Sequence, residues 1–153
     1  MWKLLSATLI SILIGCSSTT TTTEITVQSP KGNLPPLKVE HIKWYELNYE
    51  SLLLSKVENK NIVIFAFDES CSFCAEMAKQ TFHDHRVVSL LNDQFIPVYL
   101  DVAQNPDILL GITHKLSVPT TIFIDPNGKP TGFVIGFIGP DDYLKLLSKQ
   151  LEK

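Results

Sequence analysis

Apolar residues fall in short blocks along this chain, and the blocks switch between two spacings. Residues 62–67, Ile62-Val63-Ile64-Phe65-Ala66-Phe67, are continuous, β-branched and aromatic, which predicts a strand buried on both faces. Similar composition predicts strands at 95–102 and 120–124, and a hairpin partner at 132–137 after the turn Asp125-Pro126-Asn127-Gly128. Helical spacing fills the intervals. Residues 50–57 carry Leu52, Leu53, Leu54 and Val57 and run out into Glu58-Asn59-Lys60-Asn61; residues 72–80 and 84–92 follow, the latter with Asp84 as N-cap and Val87, Val88, Leu90 and Leu91 on one side. Residues 106–116 form another helix. The last begins at Pro140, where proline in the first turn and Asp141-Asp142 suit an N-terminus, and Tyr143, Leu146, Leu147 and Leu151 make its inward stripe. Strands separated by helices, then a hairpin and a final helix, predict an α/β domain with a central mixed sheet and helices on both faces.

A different pattern opens the chain. Lys3 precedes eleven uncharged, largely apolar residues at 4–14, a stretch too short for a permanent membrane span of about twenty residues. It predicts a cleavable export signal over 1–15. The ending Leu13-Ile14-Gly15-Cys16 resembles the lipobox of bacterial lipoproteins. That resemblance implies that Cys16 becomes the lipidated first residue, holding several acyl chains, palmitate among them, which anchor far more firmly than one chain does. An ordinary signal peptide or an uncleaved anchor are the alternatives. The expected location is the bacterial cell envelope, facing the periplasm, and Ser17 after the cysteine favours the outer membrane.

Ser17-Ser18 and five threonines follow, then Ser29-Pro30-Lys31-Gly32-Asn33-Leu34-Pro35-Pro36, so residues 16–38 read as a flexible Ser/Thr/Pro-rich tether. Residues 39–153 are the length of one domain with its own core. The formal charge is −3, and loss of Lys3 with the leader takes it to −4. No basic patch points to nucleic acid.

Candidate chemistry sits in Cys71-Ser72-Phe73-Cys74, between the strand at 62–67 and the helix at 72–80. A helix N-terminus stabilises a thiolate through its unpaired N–H groups and dipole, which assigns the nucleophile to Cys71; Cys74, one helical turn on, is placed to resolve a mixed disulfide. The chain has three cysteines, and lipidation of Cys16 would leave this pair alone. A purely structural bridge over so short a loop would stabilise little.

The cysteine pair after the first central strand, together with Val118-Pro119-Thr120, the apolar strand behind it and the Asp-x-x-Gly turn, resembles the thioredoxin superfamily, and in particular its exported thioredoxin-like members. The resemblance covers about residues 39–153 and implies a thioredoxin-like fold. It further implies a cis Pro119 against the cysteine pair, Val118 as the substrate-facing neighbour and Phe73 as the aromatic residue that exported members often hold before the second cysteine. The implied activity is thiol:disulfide oxidoreduction with no cofactor beyond the Cys71–Cys74 disulfide and no metal. The implied partners are exported proteins bearing thiols or disulfides and a membrane redox partner. The chain departs from cytoplasmic thioredoxins in placing Ser70 before the pair and Ser72-Phe73 within it, and Phe65 stands where those proteins hold a buried aspartate.

Other readings stay open on sequence alone. Asp68 and Glu69 lie close enough to assist or to hinder a thiolate, Glu69 reading as a solvated loop acid. His83 and His85 can be drawn with the thiols as a metal site, but His83-Asp84-His85 reads better as the start of a helix after a kink. His114 is either near the active face or merely a cation at a helix C-terminus; Met77 and Phe82 are core. A copper-handling module of the same fold, with soft thiolate ligands, and an interaction domain with spectator cysteines are the alternative functions.

Overall fold

A computed structural model describes residues 39–152. The leader, Cys16 and the tether lie outside the described residues. No helix among the described residues is long and apolar enough to cross a membrane.

In chain order the elements are β1 (Tyr45–Glu46), α1 (Tyr49–Glu58), β2 (Ile62–Phe67), α2 (Ser72–Gln80), α3 (His85–Gln94), β3 (Ile96–Asp101), α4 (Pro106–Thr113), β4 (Thr120–Ile124), β5 (Pro130–Ile135) and α5 (Pro140–Leu151). They build a five-stranded sheet in the order β1-β3-β2-β4-β5. The β2–β3 pair is parallel, with Ile64 opposite Val98, and β4 runs antiparallel to β2, with Ile64 opposite Ile122. β5 returns antiparallel beside β4.

β2 is central because every one of its residues is apolar and buried, so neither face tolerates solvent. Side-chain alternation divides it between two cores. Val63, Phe65 and Phe67 join Phe123 and the buried residues of α2, α3 and α5, including Met77, Phe82, Val87, Leu91, Tyr143 and Leu147. Ile62, Ile64 and Ala66 join Val98, Leu100 and Ile122 under Leu54 of α1 and Leu109 of α4. The fold is the expected α/β one.

Several boundaries and faces differ from expectation, each for a local reason. β1 pairs only through Tyr45 and Glu46 with Val98 and Tyr99, too short a run to register as alternation. α1 starts earlier because Asn48 and Ser51 cap each other reciprocally, and its inner face is Ser51, Leu54 and Ser55, leaving Leu52 and Val57 exposed. α4 stops at Thr113 rather than 116: His114 turns left-handed at φ 58°, and the Thr113 hydroxyl donates to the carbonyls of Leu109 and Lys115 at 2.9 and 2.7 Å, closing the helix end. β5 begins at Pro130 and ends before Gly136, which needs φ 105°. In α5 the inward stripe is Tyr143, Leu147 and Gln150, while Leu151 is exposed.

The break between α2 and α3 falls as expected. The Thr81 hydroxyl donates to the Ile138 carbonyl at 2.5 Å, and Asp84 caps α3 by accepting from the Arg86 backbone at 2.9 Å.

Candidate active site

The site forms where β2 runs out. Phe67 leads into Asp68-Glu69-Ser70, and the Cys71 N–H donates back to the Asp68 carbonyl at 3.1 Å, a turn that sets Cys71 at the N-cap of α2. Asp68 holds this turn from the side-chain direction too: its Oδ1 accepts from the Ser70 N–H at 2.8 Å and the Ser70 hydroxyl at 2.5 Å. Those bonds favour the charged form and lower the Asp68 pKa.

Cys71 and Cys74 are joined in a disulfide with their Cα atoms 5.2 Å apart. The two sulfurs have unequal surroundings. Cys71 is half-buried and its Sγ accepts from the Cys74 N–H at 3.1 Å, whereas Cys74 is fully buried among Phe65, Phe67, Met77 and Phe82. Phe65 stacks on Phe67 at 5.9 Å and meets Phe82 edge-on at 4.8 Å, so aromatic packing fills the position where the resemblance to cytoplasmic thioredoxins would put a buried aspartate.

Sheet register brings the second motif alongside. β4 pairs Thr120 with Ala66; one step further, Pro119 comes opposite Phe67, beside the turn that carries Cys71. The Val118–Pro119 peptide is cis, as expected. Pro119 is buried and the Gly136 N–H donates to its carbonyl at 2.7 Å, while Val118 stays half-buried and lines the same groove as Cys71.

Cys71, Phe73 and Val118 thus share one open groove of about 440 Å³, closed on its other sides by Asp68, Ser70, Ser72, Val102 and Leu116. Phe73 and Leu116, both lining this groove, are 60% and 57% exposed, large apolar side chains left uncovered. The arrangement leaves one sulfur accessible at the groove and hides the other. Leu116 was not among the residues expected in the site; its signal was an apolar residue outside the buried set of α4, two positions before Val118. Val102 is brought in by its N–H, which donates to the Phe67 carbonyl at 2.9 Å.

Other candidates lie apart. Glu69 lines a neighbouring polar groove with Glu46, Tyr99 and Asp101 rather than the disulfide groove. There the Tyr99 hydroxyl donates to Glu46 Oε1 at 2.9 Å, and burial first, then this bond, push its pKa up to about 12. His83 is held by Nδ1 against the Ala78 carbonyl at 2.7 Å, and His114 is an exposed helix end. Among the described residues no group of three or more His, Cys, Asp and Glu is gathered for a metal ion. Met77 and Phe82 are core, as expected.

This combination of mixed sheet, flanking helices and cysteine pair defines a protein of the thioredoxin superfamily. The solved structures agree on the fold: a thioredoxin from Thermus thermophilus has a TM-score of 0.64 at 22% identity, covering 72% of this chain and 88% of its own. A DsbH oxidoreductase has a TM-score of 0.62 at 22% identity, covering 72% and 85%. The Thioredox_DsbH family model, described as a protein of unknown function, DUF255, matches residues 33–148, and the chain belongs to that family. Among curated proteins, spermatogenesis-associated protein 20 of Rattus norvegicus is 30% identical over 111 residues, 67% of this chain and 14% of its own length. The thiol:disulfide interchange protein DsbD of Photorhabdus laumondii is 31% identical over 100 residues, 62% of this chain and 17% of its own. The chain therefore spans only about a seventh to a sixth of the length of these curated relatives.

Proposed function

We propose that the protein is a lipid-anchored thiol:disulfide oxidoreductase of the bacterial cell envelope, facing the periplasm. The observation that carries the reading is the Cys71–Cys74 disulfide at the start of α2, half-open to a groove lined by Val118 and flanked by Phe73. In the reductive direction the Cys71 thiolate attacks a substrate disulfide, a sulfur–sulfur bond breaks, and one substrate thiolate leaves. Cys74 then gives up its proton and attacks Cys71 Sγ in the mixed disulfide. The second substrate thiolate is released and the Cys71–Cys74 bond re-forms. Two electrons have passed to the substrate, and a membrane dithiol partner returns them to the pair; run backward, the same steps oxidise a substrate.

Within this scheme Phe73 and Val118 hold an extended segment of an exported protein, Pro119 fixes the edge that Val118 offers, and no cofactor beyond the disulfide takes part. Anchoring comes from Cys16, with the outer membrane favoured, and residues 16–38 let the domain work away from the bilayer. Insulin reduction by the purified full chain with dithiothreitol tests the activity. Reduction that requires both cysteines supports it; stoichiometric copper with no reduction would replace it by the metal-handling reading.

A further inference from the structure

We propose that β5 is the contact strand of a symmetric dimer, in which two copies of the chain join their sheets edge to edge. β5 is a sheet edge, and nothing among the described residues pairs with its outer side. The Gly136 N–H bonds to Pro119, and antiparallel ladders alternate, so Val134 opposite Thr121 and Gly132 opposite Phe123 turn their backbone groups toward β4. The N–H and C=O of Phe133 and Ile135 therefore point outward. The same two residues carry exposed apolar side chains, 43% and 39% accessible, on the face of the sheet that Ile122 marks.

Edge strands are commonly guarded by charge. Here residues 130–140 contain no charged residue at all, although the chain as a whole carries −3, so two copies meet at this strand without like-charge repulsion. The strand also matches itself. With Val134 on the two-fold axis, Phe133 lies opposite Ile135 of the second copy and Ile135 opposite its Phe133. All four outward N–H groups then meet outward carbonyls, and the four apolar side chains form one cluster on one face.

Area sets the strength. The exposed parts of Phe133 and Ile135 amount to roughly 150 Å² per copy, against about 800 Å² per partner in a standard stable interface. The dimer is accordingly a weak one, favoured where the chain is concentrated.

Sedimentation equilibrium of the full chain in density-matched detergent, over a wide concentration range, tests this. The wild type should show a reversible monomer–dimer equilibrium. Phe133→Lys and Ile135→Lys should each weaken it by at least about tenfold. The double substitution Phe133→Lys with Ile135→Glu should restore association, because opposite charges then face each other across both symmetric pairs. A wild type that stays monomeric throughout, single variants that associate unchanged, or a double variant no better than the singles would each overturn the proposal. Circular dichroism confirms that the variants are folded. The exchange chemistry at Cys71 is read separately by insulin reduction, so the two readings fail independently.

Discussion

The Cys74 N–H donates to Cys71 Sγ at 3.1 Å, so the half-buried sulfur of the pair is also the cap of α2. Opening the disulfide leaves that sulfur as a thiol facing a backbone donor and the positive end of a helix dipole, both of which favour its charged form. Alkylation of the reduced protein by iodoacetamide, followed against pH, should give a midpoint for Cys71 below the free-thiol value of about 8.5. A midpoint at or above that value would mean that the carboxylate of Asp68 in the same groove outweighs the helix.

Phe73 and Leu116 both line the groove, exposed though apolar. Covering each by a substrate segment is worth about 1 kcal/mol, so Phe73→Ser or Leu116→Ser should raise KM for a protein disulfide by roughly threefold to tenfold. Reaction with a small disulfide such as oxidised glutathione, which has no long segment to cover both side chains, should change little. Equal losses on both substrates would assign these residues to the stability of the site rather than to the groove.

Asp84 caps α3, and its carboxylate is paired with Arg86, which also reaches Asp141 of α5 at 2.8 Å. The Arg86 side-chain hydrogen bond lowers its pKa to about 2. The folded value lies below the unfolded one of about 3.9, so the contribution of the charged form is complete above that pH and is lost as pH falls toward 2. Thermal melts should show the wild type losing more stability than Asp84→Ala between about pH 4 and pH 2. Parallel melting curves would mean that the pairing with Arg86 contributes nothing.

Cys16→Ser should remove lipid from the protein and release it from the membrane fraction while leaving exchange in solution unchanged. Mass spectrometry of the wild type from cells reads the modification directly. A mature wild-type chain without acyl groups would refute anchoring and leave the domain chemistry standing.

How far the sequence was legible depended on what each element had to say locally. β2 could be read because six consecutive apolar residues admit only a strand covered on both faces, and the Cys71/Cys74 pair because its spacing lies at a strand-to-helix junction. β1 could not, since two residues show no alternation, and Trp44 gave no hint that the segment leading into it is core, though it packs edge-on against Phe82 at 5.3 Å. The end of α4 was overrun because Thr113 has no helix-breaking character; its hydroxyl closes the helix only through the Leu109 and Lys115 carbonyls of the folded chain. That closure is what frees Leu116 for the groove. Leu151 and Gln150 exchanged places for a similar reason: the amphipathic stripe of α5 is set by Tyr143 and Leu147, and the next position on that face is 150.

Glu69 shows the limit of proximity along the chain. It lies two residues from Cys71 yet turns into the groove of Glu46, Tyr99 and Asp101, and Phe65 occupies the place of a buried acid.

The division of labour between an accessible Cys71 and a buried Cys74 is tested most directly by trapping. With Cys74→Ala, the mixed disulfide formed at Cys71 has no resolving thiol, so covalent complexes with cellular proteins should accumulate and be released by dithiothreitol on non-reducing gels. With Cys71→Ala, the remaining thiol is fully buried in the core that includes Phe65, Phe67, Met77 and Phe82, and no such complexes should form. Complexes captured by Cys71→Ala and absent from Cys74→Ala would contradict the assignment.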